Sequence, residues 1–281
     1  MLALLLGSAA LAAPAVEARD DKGRQLRLAR PALRVVSLSP HATELLYAIG
    51  AGSTLVGRDG ASDEPAAARA LPDVGRYGAF NVEAIVALRP DLVVAWEGSE
   101  AGPALTRLHE LGLPLFASQP ADIAAIAGTV RALGRLTGRT EAEALARRFE
   151  SEWAALKARY ANSRPLTVVV QVGEGPALTV NDRQFTASLL RVCGVVNPFG
   201  ASSAPVPVIG AEALLAARPD AMVAVADAAE AAVWRANWRS RGLDVPWLTV
   251  DPRRFGRPVP AAVKEAEALC RRLDSLRRRP S

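Results

Sequence analysis

A chain of 281 residues, half of them apolar and 22% charged, can bury two sizeable cores, which excludes a disordered or low-complexity protein. Two cysteines exclude a disulfide-dense small scaffold. The net charge of +5 leans on a terminal cluster, Arg271, Arg272, Arg277, Arg278 and Arg279, which suits a solvated helix end; it lacks aromatic interleaving or a recognised nucleic-acid motif, so no nucleic-acid partner is expected.

Residues Met1 to Ala15 are apolar and end in small residues, the pattern of a secretory signal with Ala12 or Ala15 before the cut, although a positively charged start is missing. Residues 1–18 are assigned to this signal, and the mature chain is expected to begin between about Ala13 and Arg19. The stretch is too short to span a bilayer, and no cysteine follows it to carry a lipid. A soluble, periplasmic protein is the expectation.

From Arg34 the pattern reads strand (34–38), a Ser39-Pro40 turn, helix (about 42–50) and strand (55–57). A helix from Val82, a strand at 91–96, a helix across 104–111 and a strand at 114–117 follow. Apolar runs separated by helical segments argue for a parallel sheet covered on both faces. This is a first lobe, 34–120. Residues 121–163 form a helical region in which Ile123, Ile126, Val130, Leu133 and Leu136 recur at helical spacing. Gly138 interrupts it, and Thr140 with Glu143 resembles a capping box that restarts it. Leu145, Phe149, Trp153, Leu156 and Tyr160 then form one stripe on a helix long enough to bridge two lobes as a stiff rod. A second lobe, 164–276, repeats the order, with strands at 166–172, 221–226 and 247–250 and helices at about 186–193, 212–217, 229–239 and 261–276. The expected fold is α/β: two similar lobes, each a mostly parallel sheet flanked by helices, joined by a single long rigid helix.

The halves also match in sequence. Glu83-Ala-Ile-Val-Ala-Leu-Arg-Pro-Asp-Leu-Val-Val-Ala95 recurs 129 positions later as Glu212-Ala-Leu-Leu-Ala-Ala-Arg-Pro-Asp-Ala-Met-Val-Ala224, with eight of thirteen residues identical. An acidic residue opens a short helix, Arg-Pro-Asp turns the chain because proline cannot continue it, and a buried strand follows. Such halves usually face each other across a cleft, where ligands favour binding. Cys193 and Cys270 would sit on helices of the second half, either bonded or as two buried thiols. His41 and His109 lie far apart without spaced acidic or cysteine partners, so no metal site is expected. Gly50-Ala-Gly52 ends a helix instead of following a strand, which removes a dinucleotide reading. No nucleophile elbow, phosphate loop or acid–base set occurs, so no catalytic residues and no enzyme activity are expected.

Leu38-Ser-Pro-His-Ala-Thr-Glu-Leu45, Ser62-Asp-Glu-Pro65, Asn81 to Trp96 and Val192-Cys-Gly-Val-Val-Asn197 together resemble the cobalamin-binding periplasmic proteins of ABC importers, within a wider group of metal-chelate receptors with a helical backbone. The resemblance, running from about Arg34 to Leu276, implies capture of a corrinoid, cobalamin or a precursor, and delivery to an inner-membrane permease by a monomer without a cofactor of its own. It implies that Cys193 and Cys270 are bonded. It implies that Glu83 and Glu212, one per lobe, dock onto permease arginines; their equivalence in the repeat independently suggests a two-pronged contact. Tyr77 and Trp96 stand where the family places aromatic pocket residues, and Asp251 where it has a rim aspartate. A corrin ring is a broad apolar disc fringed with amides, so flat aromatic walls with a few polar groups suit it.

This chain departs from the family pattern at Ala61 and Val206, where aromatic residues fall in the family, and at Phe255, where a rim arginine falls. Phe255 is expected to supply a ring and Arg257 a charge in compensation. The alternative ligand class is a ferric siderophore, which Arg58, Arg76, Arg254 and Arg257 could attract, or haem. A haem tyrosine would coincide with Arg76, not with Tyr77. An exported enzyme is the remaining rival class.

Overall fold

The computed structural model describes residues 15–98, 101–174 and 177–278. The expected signal segment lies outside the described residues up to position 14, as does Arg279 of the basic cluster. The chain divides into two compact units. The first comprises residues through Gln119 together with Thr129–Ala144, and the second comprises Pro120–Gly128 with everything from Leu145 onward.

In the first unit the strands and helices run β1 (Val16–Arg19), β2 (Gln25–Leu28), β3 (Val35–Ser37), α1 (Pro40–Ala48), β4 (Leu55–Arg58), β5 (Gly75–Arg76), β6 (Ala79–Phe80), α2 (Val82–Ala87), β7 (Leu92–Ala95), α3 (Gly102–Glu110) and β8 (Leu115–Ala117). Helix α4 (Ile126–Thr137) and α5 (Glu141–Tyr160) come next, α5 beginning in the first unit and ending in the second. The second unit continues with β9 (Leu166–Gln171), α6 (Phe185–Arg191), β10 (Val195–Val196), α7 (Ala211–Ala217), β11 (Ala221–Val225), α8 (Ala228–Ser240), β12 (Trp247–Val250), α9 (Pro252–Phe255) and α10 (Ala262–Arg277).

Each unit holds a four-stranded parallel sheet, ordered β4-β3-β7-β8 in the first and β10-β9-β11-β12 in the second. Numbered within its own unit, each sheet has strand order 2-1-3-4. Parallel sheets are covered on both faces, so their central strands need apolar side chains in both directions. β7 is buried at all four positions and β9 at all but Thr167. Helices pack on these runs: Val36, Val93, Ile85, Leu105 and Leu108 share one core cluster, and Val169, Met222, Leu214 and Trp238 another. On α5, Phe149, Leu156 and Tyr160 of the expected stripe are buried, while Leu145 and Trp153 are half-buried.

The repeated Arg-Pro-Asp segment folds alike in both units. Arg89 and Arg218 both end their helices in the left-handed region, at φ of 48° and 42°. The following proline blocks the helical region for the residue before it, and the left-handed turn is the remaining compact way to leave the helix. Asp91 then accepts from the backbone N–H groups of Leu33 (3.0 Å) and Arg34 (2.9 Å), and Asp220 accepts from that of Thr167 (2.7 Å). The aspartate thus fastens the start of the third strand to the start of the first.

The sheets differ in what surrounds them. β1 and β2 form an antiparallel hairpin that docks on the end of β8: Asp21 donates its backbone N–H to the Ala117 carbonyl (3.1 Å), and the Asp20 carboxylate accepts from Ala117 N–H (3.3 Å). In the second unit, Cys193 and Cys270 form a buried disulfide with Cα atoms 4.9 Å apart, tying the segment just after α6 to α10. Val195–Val196, not foreseen as a strand, becomes the edge strand β10 beside β9.

Candidate functional site

A 2-1-3-4 parallel sheet has its switch point between the first and third strands, where connections leave toward opposite faces and open a crevice at the carboxyl ends. In the first unit this point lies between β3 and β7, and the groups there are aromatic. Trp96 immediately follows β7 and is half-buried. His41, on the first turn of α1, is buried and meets Trp96 edge to face, with ring centroids 5.5 Å apart and planes at 86°. Its Nε2 lies 2.8 Å from the Ser118 carbonyl and 3.0 Å from the Ser118 hydroxyl at the end of β8. His41 therefore acts as a brace behind the indole.

Tyr77 sits in the two-residue turn of the β5–β6 hairpin and is 40% exposed. The hairpin depends on Gly75, whose φ of 104° and close approach to the Ala79 carbonyl leave no room for a side chain. Gly98 lets the Tyr77 hydroxyl approach the strand end: a Cβ there would collide with that hydroxyl and lie 3.5 Å from the Trp96 indole nitrogen. Sequence reasoning singled out Tyr77 and Trp96 but missed Gly98 and the role of His41. The one available signal was a small residue two positions beyond the tryptophan. Beside Gly98 lies a cavity of about 480 Å³ whose walls include Glu97, Leu105, Thr106 and the exposed His109.

The loop after β4 is held by a buried chain of polar contacts. Thr43 donates to the Ser37 hydroxyl (2.8 Å), and its oxygen lies 2.7 Å from that of Ser62, whose hydroxyl is paired with Asp59. Burial pushes the Asp59 carboxyl up, against the hydrogen bonds from Ser62 and the Ala61 N–H and the charge of Arg58. This chain presents Ala61 as an exposed residue. Burial also raises the Asp21 carboxyl, to about 6, despite hydrogen bonds from Thr129 and the Gln119 N–H.

The second unit is polar at the corresponding end. Asp251 follows β12 and caps α9, accepting from the Arg253 N–H (2.8 Å) and from its guanidinium (3.3 Å). Burial pushes its carboxyl up, but the Arg253 N–H, the Arg253 guanidinium and the charges of Arg253 and Arg254 outweigh that and hold it below the usual carboxylate range. Arg257 is half-buried. Phe255, expected to supply a ring, is 1% exposed on α9, which packs on α10. Val206 is 43% exposed. Of the four arginines that could attract an anion, Arg58 pairs with Asp73 (3.6 Å) and Arg254 with Glu265 (3.7 Å).

Glu83 and Glu212 are each the second residue of their helices and are exposed. Asn81 caps α2, accepting from the Ala84 N–H (2.9 Å), whereas Gly210 precedes α7. Among the described residues no group of three or more His, Cys, Asp or Glu could hold a metal ion, and no helix is long and apolar enough to cross a membrane.

Residues 35–233 match the periplasmic binding protein family. A vitamin B12-binding protein of Yersinia pestis (strain Pestoides F) is 33% identical over 249 residues, covering 88% of this chain and 89% of its own. Among solved structures, the periplasmic vitamin B12 binding protein of Vibrio cholerae superposes with a TM-score of 0.80 at 30% identity, covering 89% of this chain and 99% of that one. A periplasmic haem binding protein of Pseudomonas aeruginosa superposes with a TM-score of 0.70 at 27% identity, covering 85% and 91%. The paired 2-1-3-4 sheets and these matches lead to one assignment: the chain belongs to the periplasmic binding protein family.

Proposed function

We propose that the chain is an exported, soluble periplasmic receptor that captures a corrinoid, cobalamin or a precursor, and delivers it to the permease of an ABC importer. The observation that carries this reading is the 33% identity over 88% of the chain to a vitamin B12-binding protein. The residues support it: Tyr77 and Trp96 supply flat apolar walls, and Asp251 with Arg257 supplies polar groups for an amide-fringed rim. Glu83 and Glu212 dock onto arginines of the permease. The protein works as a monomer, carries no cofactor, and returns its ligand chemically unchanged; it is not an enzyme.

The haem binding relative at 27% identity favours a second reading, haem, for which Tyr77, one position beyond the place of a haem tyrosine, is the nearest candidate axial ligand. The Tyr77 hydroxyl is turned onto Gly98, beside the indole, which suits a stacked ring better than an iron ligand. An anionic siderophore loses support because Arg58 and Arg254 are paired within the chain.

Tryptophan fluorescence of the purified protein, titrated with cyanocobalamin, a base-free corrinoid, haem and a ferric siderophore, tests the assignment. Of the other four tryptophans Trp234 and Trp238 are buried and Trp153 and Trp247 half-buried, so the part of the quenching that is lost in Trp96→Phe reports on the proposed site. Saturable quenching by a corrinoid at micromolar concentration or below is expected. Absence of corrinoid quenching, or tighter binding of haem, overturns it.

A further inference from the structure

We propose that the partner-facing element of each unit is a carboxylate–aliphatic pair, Glu83 with Val86 on α2 and Glu212 with Leu215 on α7, and that it fits a partner socket in which a cation lies against an apolar wall. This rests on the docking role given above to the two glutamates and extends it to residues that role does not include.

The same burial pattern recurs in both helices. Ile85 and Leu214 are fully buried, and the next residues, Val86 and Leu215, are 39% and 37% exposed. Both pairs keep the 129-residue offset of the repeat. Residues three apart on a helix are neighbours on its surface, so each aliphatic side chain lies beside its glutamate. A single exposed valine or leucine is ordinary. Here the residue identities have drifted, Ile85 to Leu214 and Val86 to Leu215, while the in-then-out aliphatic pattern beside an exposed acid persists in two units whose other surfaces differ.

The orientation of each helix is fixed from both ends. Ile85 and Leu214 anchor it to a core cluster, and the left-handed Arg89 or Arg218 with the Asp91 or Asp220 clasp holds its exit. Among the described residues no cation pairs with Glu83 or Glu212, and both side chains are exposed, so both carboxylates are open to a partner. An aliphatic group at the rim of such an ion pair excludes water, and charges attract more strongly as the surrounding medium becomes less polar. The socket is therefore a guanidinium or ammonium flanked by apolar side chains, not an open basic surface.

The test uses the full chain loaded with cyanocobalamin and its cognate permease–ATPase complex reconstituted in lipid, with the receptor concentration that half-saturates ATP hydrolysis as the readout. Val86→Ser with Leu215→Ser should raise that concentration about tenfold, as expected for the removal of two partly exposed aliphatic contacts. Binding by this variant should also weaken more steeply as salt is raised, because the ion pairs lose their apolar shield. Val86→Thr should restore part of the loss. If the serine variant matches the parent while Glu83→Arg with Glu212→Arg abolishes stimulation, the pair is refuted and the docking glutamates stand. If neither variant changes stimulation while cyanocobalamin still binds, the docking role and the pair both fall and the ligand assignment survives. If cyanocobalamin does not bind the parent chain, the fault lies in the ligand assignment itself.

Discussion

The first unit follows β7 with Trp96, whereas the second, 129 residues on, ends β11 with Val225. The first unit braces its indole with His41 and crowds Tyr77 against Gly98, while the second places an Asp251 turn and arginines at the end of β12. Strand order, the left-handed arginine and the aspartate clasp are shared. The shared features are those that set the path of the backbone, and the differing ones are side chains at strand ends. A duplicated scaffold can therefore carry unlike side chains at its strand ends, aromatic in one unit and charged in the other.

The largest difference to break is the disulfide, which only the second unit contains. Cys193→Ser with Cys270→Ser removes a link across 77 positions, and loop-closure entropy puts the loss at up to about 4 kcal/mol. Hydrogen exchange should show β9 and β11 losing protection while β3 and β7 keep theirs. The aromatic surface comes next. Trp96→Ala should weaken corrinoid binding roughly thirtyfold, about 2 kcal/mol, and Gly98→Ala should weaken it in the same direction by driving the Tyr77 hydroxyl away. Both are measured by titration, with thermal unfolding as the control.

Charge separates the units by sign. Asp21 holds its proton up to about 6 against an ordinary value of 3.8. A raised pKa means that its favourable contribution is complete below about pH 4 and is lost as pH rises through about 6, on the order of 2 kcal/mol. Asp59 acts in the same direction. Asp251 acts oppositely: its contribution is present above the ordinary carboxylate value and is lost as pH falls through its depressed one. Thermal unfolding against pH should show Asp21→Asn flattening the slope between about pH 4 and 6 in the first unit and leaving the second unchanged. The smallest effect is a symmetric one. Arg89→Gly and Arg218→Gly relieve the same left-handed conformation and should each stabilise by about 0.5 kcal/mol, since glycine adopts that conformation freely but costs more backbone entropy.

The parts legible in the sequence were those written locally. Arg-Pro-Asp fixes a turn by steric exclusion, and Leu92–Ala95 and Ala221–Val225 declare buried parallel strands by unbroken apolarity. The two cysteines allowed one intrachain pairing, which the resemblance implied and the structure contains. The β1–β2 hairpin is illegible because its alternation, Val16 and Ala18 against Leu26 and Leu28, spans only four residues a side and overlaps the expected signal segment, 1–18, at Val16, Glu17 and Ala18. Its position depends on Asp20 and Asp21 meeting β8 about a hundred residues away, which no local pattern encodes. The burial of Phe255 is illegible for the same reason: how far a ring on a one-turn helix is covered depends on α10, not on its neighbours in sequence.

The corrinoid assignment is tested most directly by calorimetric titration of the full chain with cyanocobalamin, followed by displacement with haem. A one-to-one isotherm at micromolar or tighter affinity, weakened by Trp96→Ala and undisturbed by excess haem, is the predicted result. No measurable heat with cyanocobalamin, or complete displacement by an equal amount of haem, would contradict it.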